Sequence, residues 1–158
     1  MDITALPFNR FLGLEEAVSG SGFLVSLPGE PRYTNHLGTV HAVALVAVAE
    51  AGSAAVLVRE FAETSGYVPV VRRIGAKFRR PARGRVSARA SVADGEVERV
   101  SAELRARGRS LIGVSVEVVD AAGTVALTAE VEWFIARVED GPPDGVRLST
   151  EGEDGLCE

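Results

Sequence analysis

The residues of this chain that could do chemistry crowd into one stretch. Thr34, Asn35, His36, Gly38, Thr39 and His41 form a polar, glycine-containing loop, and a nearly continuous apolar run follows from Ala42 to Val58. Only Glu50, Gly52 and Ser53 interrupt that run. Its length and alanine content predict a helix rather than a strand. A helix apolar on nearly every side is buried on nearly every side, which sets Glu50 near the middle of a buried element. A lone carboxylate there is costly unless something pairs with it or its pKa rises. Two readings follow. Glu50 is a structural group, at a subunit contact or paired with a buried arginine, or it is an acid tuned by burial for work as a general base or nucleophile.

The pattern N-x-x-G-x-x-H, with an acid nine residues after the His, resembles the hotdog-fold thioesterases. Asn35, Gly38, His41 and Glu50 carry the match. The subgroup it is most similar to is the PaaI-like acyl-CoA thioesterases, with an uncharacterised, DUF4442-like branch close by, and Pro7–Gly13 resembles the start of that branch. The family reads N-x-x-G-x-x-H-G-G, so Ala42 and Val43 depart from it. The resemblance implies hydrolysis of a small or medium acyl thioester, on coenzyme A or an acyl carrier. Coenzyme A enters as part of the substrate, and no cofactor is expected.

The resemblance also implies roles for the loop. Asn35 orients water or the substrate carbonyl, although an Asx-turn explains an Asn before a turn equally well. Gly38 supplies a positive φ, or lets substrate approach the backbone, or both. His41 and Ala42 lie where the helix begins, and the first N–H groups of a helix have no internal acceptor. They are suited to holding the oxygen of a polarised thioester carbonyl. His41 as a structural group stands beside that reading, and His36 is expected to be a solvated loop residue. Ser53 is placed with the substrate contacts. The Glu of one subunit is implied to face the loop of another, so a homodimer or a dimer of dimers is expected.

Two other readings stay open. His36 and Glu50 are 14 residues apart, a spacing similar to the His and Glu of hotdog dehydratases, although the Pro-Gly loop of those enzymes is absent. A non-catalytic acyl-CoA binding domain is the third.

Basic charge is concentrated in Arg79–Arg85, where Arg79, Arg80, Arg83 and Arg85 occupy four of seven positions. A solvated strand face and loop is the plain reading. The sharper one makes Arg79, Arg80 and Arg83 a rim for the phosphates of coenzyme A. Nucleic-acid binding ranks low, because no aromatics interleave with the arginines. With two histidines and Cys157 as the sole cysteine, neither a zinc site nor a Cys/His dyad is expected. The sequence has no G-x-S-x-G and no phosphate-loop signature.

The net charge of −5 hides an asymmetry. Residues 139–158 hold seven acids against Arg147 alone, a balance of −6, which leaves residues 1–138 at +1. Residues 1–138 are read as the domain and 139–158 as a disordered acidic tail. No signal peptide is read at the start, Ala42–Val58 is short for a membrane span and carries Glu50, and a cytoplasmic location is expected.

The elements that must position these residues follow from periodicity. A short helix or turn is expected at 7–13, and a strand over Gly22–Leu27. The central helix is capped by Thr39 and stops between Phe61 and Gly66, at Thr64, Ser65 and Gly66. Strands are expected over Tyr67–Phe78, Val86–Val92, Leu111–Val119 and Val125–Ile135, the last two joined as a hairpin through Asp120–Gly123. Val68, Val70, Ile74, Ala76 and Phe78 are read on one face of Tyr67–Phe78, with Arg72 breaking the pattern. Glu96–Arg107 suits a charged helix, with a partial strand as the alternative. The sum is an α+β domain in which a curved antiparallel sheet of five to six strands wraps one long helix.

Overall fold

Alternation along the C-terminal half sets the architecture. The computed structural model describes residues 1–61 and 66–138. In its strands β5 (Arg109–Asp120) and β6 (Val125–Arg137), Ile112, Val114, Val116, Val118, Leu127, Ala129, Val131, Trp133 and Ile135 are all buried. Side chains two apart share a face, so each strand presents one apolar side. The pair is antiparallel and joined by a tight turn, in which the Asp120 carboxylate accepts from the N–H groups of Ala122 and Thr124 at 3.0 and 2.9 Å.

Four more strands complete one sheet: β1 (Glu15–Glu16), β2 (Val25–Leu27), β3 (Tyr67–Phe78) and β4 (Val86–Ser91). The spatial order is β1-β2-β4-β5-β6-β3, antiparallel throughout. The expected strand at Gly22–Leu27 is shorter than read, and β1, which pairs with it, is too brief to show a period. Helix α1 (Pro7–Leu12) precedes β1, α2 (Ala42–Glu60) lies between β2 and β3 in the chain, and α3 (Glu96–Arg107) between β4 and β5. The ambiguity over Glu96–Arg107 is settled as a helix. Val100 and Leu104 bury one face, and Arg99 bridges Glu96 and Glu103 at 2.8 and 3.1 Å.

β3 differs from the expected facing. A bulge between Val71 and Arg73 inserts Arg72 and reverses the parity of the strand. Val68 and Val70 pair with Ala136 and Phe134 on the outer face. Ile74, Ala76 and Phe78 pair with Val131, Ala129 and Leu127 on the inner one. Arg72 interrupts the sequence pattern because it is the bulged residue. Pro69 fits because β3 is an edge strand.

α2 packs one side on the sheet through Leu45, Val48, Ala49, Gly52 and Val56. Gly52 sets how close it comes: a Cβ there would lie 2.6 Å from the Ala88 Cβ on β4. The opposite side differs from expectation, because the sheet of one chain does not wrap it. Val43 is exposed, and Ala47, Glu50, Ala54 and Phe61, which share its face at helical spacing, are half-buried. α2 has the length and hydropathy of a membrane-spanning helix, but its buried face is spent on the sheet. The helix is capped by His41 rather than Thr39, and ends at Phe61. Thr64, Ser65 and the acidic stretch 139–158 lie outside the described residues.

Candidate active site

The loop ahead of α2 is a tight structure held by Asn35. Thr34 and Val40 form an antiparallel bridge, closed by Asn35 N–H to Thr39 O at 2.8 Å. The Asn35 Oδ1 accepts from the N–H groups of Leu37 and Thr39 at 2.9 and 3.2 Å, and its Nδ2 donates to Thr39 Oγ1 at 3.0 Å. This is an Asx-turn, so that part of the reading holds. It leaves one amide hydrogen of Nδ2 for a water or a substrate. Thr39 cannot cap α2 because its hydroxyl belongs to this network. Gly38 takes φ +67°, where an L side chain is strained. His36 is exposed at the tip of the turn.

His41 ends the loop and starts the helix. Its Nδ1 accepts from Val43 N–H at 3.1 Å, the capping bond itself. Its backbone N–H donates to the carbonyl of Tyr33 at 2.7 Å. The N–H groups of His41 and Val43 are therefore both committed. Ala42 N–H has no acceptor among the described residues. Of the two positions read as an oxyanion site, only Ala42 has a free donor; His41 orients it. Tyr33, which the sequence did not single out, is buried and fixes the end of the loop. Its hydroxyl donates to the carbonyl of Leu12.

Glu50 lies half-buried on the side of α2 that the sheet leaves open. Desolvation by burial raises its pKa above the ordinary glutamate value. No ion pair to Glu50 occurs among the described residues, so the reading of an arginine partner within the chain has no support there. Ser53 is placed differently from expectation. It is fully buried, accepts from the Trp133 indole N–H at 3.1 Å and donates to the Glu50 carbonyl at 2.7 Å. Its hydroxyl satisfies the core of the protomer and does not face a cleft.

The basic segment divides. Arg83 donates to the Gly38 carbonyl at 2.9 Å and joins the loop. With Tyr33, Gly38, Val40 and Gly29 it lines a cleft of about 210 Å³. Arg79 donates to Thr128 Oγ1 at 3.1 Å at the far end of β3, and Arg80 is exposed beside it. Arg85 pairs with Glu15 at 2.6 Å.

Residues 13–135 match the family model of a domain of unknown function, DUF4442. The chain belongs to the DUF4442 family. No curated protein matches it. The fold of this DUF4442 chain is that of the hotdog proteins. A probable thioesterase from Pseudomonas aeruginosa, described as of unknown function, superposes with a TM-score of 0.74 at 23% identity, covering 86% of this chain and 91% of the other. A thioesterase from Haemophilus influenzae gives 0.66 at 20% identity, covering 87% and 88%. A protein from Bacillus halodurans, crystallised with CoA, gives 0.57 at 18% identity, covering 75% and 72%.

Within one DUF4442 chain the candidate residues do not converge. Ala42 and Glu50 are eight residues apart on one helix, about 12 Å along its axis at 1.5 Å per residue. One carbonyl group cannot touch both. Asn35, Gly38, His41, Ala42 and Arg83 form one group, and Glu50 stands apart from it.

Proposed function

We propose that the protein is an acyl-CoA thioesterase whose active unit is a pair of chains. The observation that carries this reading is Glu50: a half-buried carboxylate, without an ion-pair partner among the described residues, whose pKa burial raises towards the range of a general base. The CoA bound to the Bacillus halodurans neighbour supports the substrate class.

The 12 Å separation supports the pairing. A two-fold axis maps each position of α2 onto one an equal number of residues from the crossing point. Ala42 of one chain meets Glu50 of the other when the helices cross antiparallel near Val46 and Ala47. Ala47 is small and lies on the open side, so close approach there is cheap. Water then attacks the thioester carbonyl carbon while Glu50 takes its proton. Ala42 N–H from the other chain holds the oxyanion, and Asn35 Nδ2 positions water or substrate. Collapse breaks the C–S bond, and the thiolate leaves with the proton from Glu50. Direct attack by Glu50, through an anhydride, uses the same groups. Arg83, with Arg79 and Arg80, meets the phosphates of coenzyme A.

A non-catalytic acyl-CoA binding domain is the second reading. The commitment of the His41 and Val43 N–H groups favours it, because Ala42 is left as a single oxyanion donor from that set.

Complementation between chains tests both. Glu50→Gln removes the base. Ala42→Pro removes the N–H with little strain, since Pro suits the first helical position and His41 already has ψ 140°. Each variant should lose thiol release from an acyl-CoA panel. Random mixing should restore about one quarter of wild-type activity, because half the pairs carry one intact site. No recovery on mixing, with both variants folded and paired, rejects the shared site. Tight acyl-CoA binding without turnover in the unmutated protein favours the second reading.

A further inference from the structure

The open side of α2 continues past Glu50. Ala54 and Phe61, both half-buried, follow it on the same face at helical spacing, and Leu57 lies between them, buried against the core. Ala54 is small and half-buried. Beyond it, at the end of the helix, lies an apolar cleft of about 160 Å³ lined by Leu57, Val58, Phe61, Tyr67, Pro69 and Ile135. The one polar side chain in that set is satisfied: Tyr67 donates to the Leu104 carbonyl at 2.9 Å and accepts from Arg137 at 3.0 Å. An apolar ligand in the cleft leaves none of these groups orphaned.

We infer that this stripe and its cleft hold the acyl chain of a medium-chain thioester, with the far end of the chain between Leu57 and Phe61. The inference rests on the reading that Glu50 stands at the thioester carbon. Leu57 and Phe61 lie seven and eleven residues beyond Glu50, about 10 and 16 Å along the helix. An extended chain with bonds near 1.5 Å advances about 1.25 Å per carbon, so these distances span roughly eight to thirteen carbons. An apolar cavity of about 150 Å³ accepts a six-carbon ring, which suits the cleft to the last several methylenes. A two- to four-carbon acyl group stops near Ala54 and leaves the cleft empty. In the paired arrangement the helix of the second chain begins opposite Glu50, so it does not cover the stripe beyond.

Binding isolates the groove from the chemistry. Non-hydrolysable S-alkyl-CoA thioethers of 2 to 16 carbons are titrated by calorimetry into the full-length protein. Affinity should rise about fourfold per methylene, the factor for burying one CH₂, and level off between about eight and thirteen carbons. Ala54→Leu should move the break to shorter chains, and Phe61→Ala to longer ones; a misfolded variant cannot produce the second shift. Affinity independent of chain length, a break below six carbons, or a break that neither variant moves overturns the inference. Turnover of the matching thioesters is followed in parallel. An intact break without turnover rejects the thioesterase reading and keeps the groove. Turnover with no break rejects the groove alone.

Discussion

Replacing Ser53 by alanine separates a core role from a substrate role. The Ser53 hydroxyl accepts the only N–H of the Trp133 indole and donates to the Glu50 carbonyl, all within the core. Alanine keeps nearly the same volume, so cavity formation is small. The loss that matters is the acceptor for a buried donor, which costs about 1–3 kcal/mol. The better helix propensity of alanine returns a few tenths, about 0.5 kcal/mol at most. The net destabilisation is about 0.5–2.5 kcal/mol. At about 2–4 °C per kcal/mol for a chain of this length, the midpoint should fall by about 1–10 °C. Trp133→Phe removes the indole N–H, so Ser53→Ala should cost much less in that background. Thermal and urea unfolding of the four proteins should give a coupling of about 1 kcal/mol or more. Turnover normalised to the folded fraction should keep its KM. An unchanged midpoint together with a raised KM for Ser53→Ala would refute the core assignment and return Ser53 to the substrate.

Glu50→Gln should lower hydrolysis by about a hundredfold or more, the scale of general-base effects. Its folded-state pKa is raised by burial, so wild-type stability is greatest with Glu50 protonated and falls as pH rises from the ordinary 4.5 to the raised value. Glu50→Gln should therefore be the more stable protein at neutral pH, with the difference vanishing at low pH. The acid limb of the wild-type rate should likewise lie above 4.5; a stable, fully active Glu50→Gln protein would remove Glu50 from the mechanism. Ala47→Glu places a charge where the two helices are proposed to cross, and sedimentation should show a shift to monomer with loss of turnover; an active pair would move the contact elsewhere. Arg80→Ala and Arg83→Ala should each raise KM for a CoA thioester about two- to fivefold, as expected of exposed charge pairs, and the effect should shrink with salt. A KM insensitive to both substitutions would place the phosphates elsewhere.

The architecture was legible where one period runs unbroken. Val114–Val118 and Leu127–Ile135 alternate over several residues, and each inner position proved buried. β3 was legible as a strand but not in its facing, because a bulge adds one residue and period-two counting cannot register it. Arg72 was the visible trace: a charge on an otherwise apolar side marks the inserted position. The cap at His41 was hidden for another reason. Thr39 is the better cap by type, but its hydroxyl was already engaged by Asn35 four residues upstream, a bond that composition does not predict.

The candidate site was legible as residues but not as a place. Asn35, Gly38, His41 and Glu50 stand out by type and spacing, and the local roles of the first three follow from the turn and the cap they build. Their relation to Glu50 does not follow, because an α-helix holds Ala42 and Glu50 about 12 Å apart. What a sequence can show is which face of the helix is left over. Val43, Ala47, Glu50 and Ala54 recur at three and four residues, with Phe61 two turns further on, opposite the face that Leu45, Val48, Gly52 and Val56 spend on the sheet. The near-uniform apolarity of α2 concealed that division, since an apolar stripe facing outward reads the same as one facing the core. A carboxylate on the outward stripe with small residues on either side has a different meaning from one deep in a core. It needs a second surface to complete its burial, and the two alanines leave room for that surface to approach on one side and for a substrate to lie on the other.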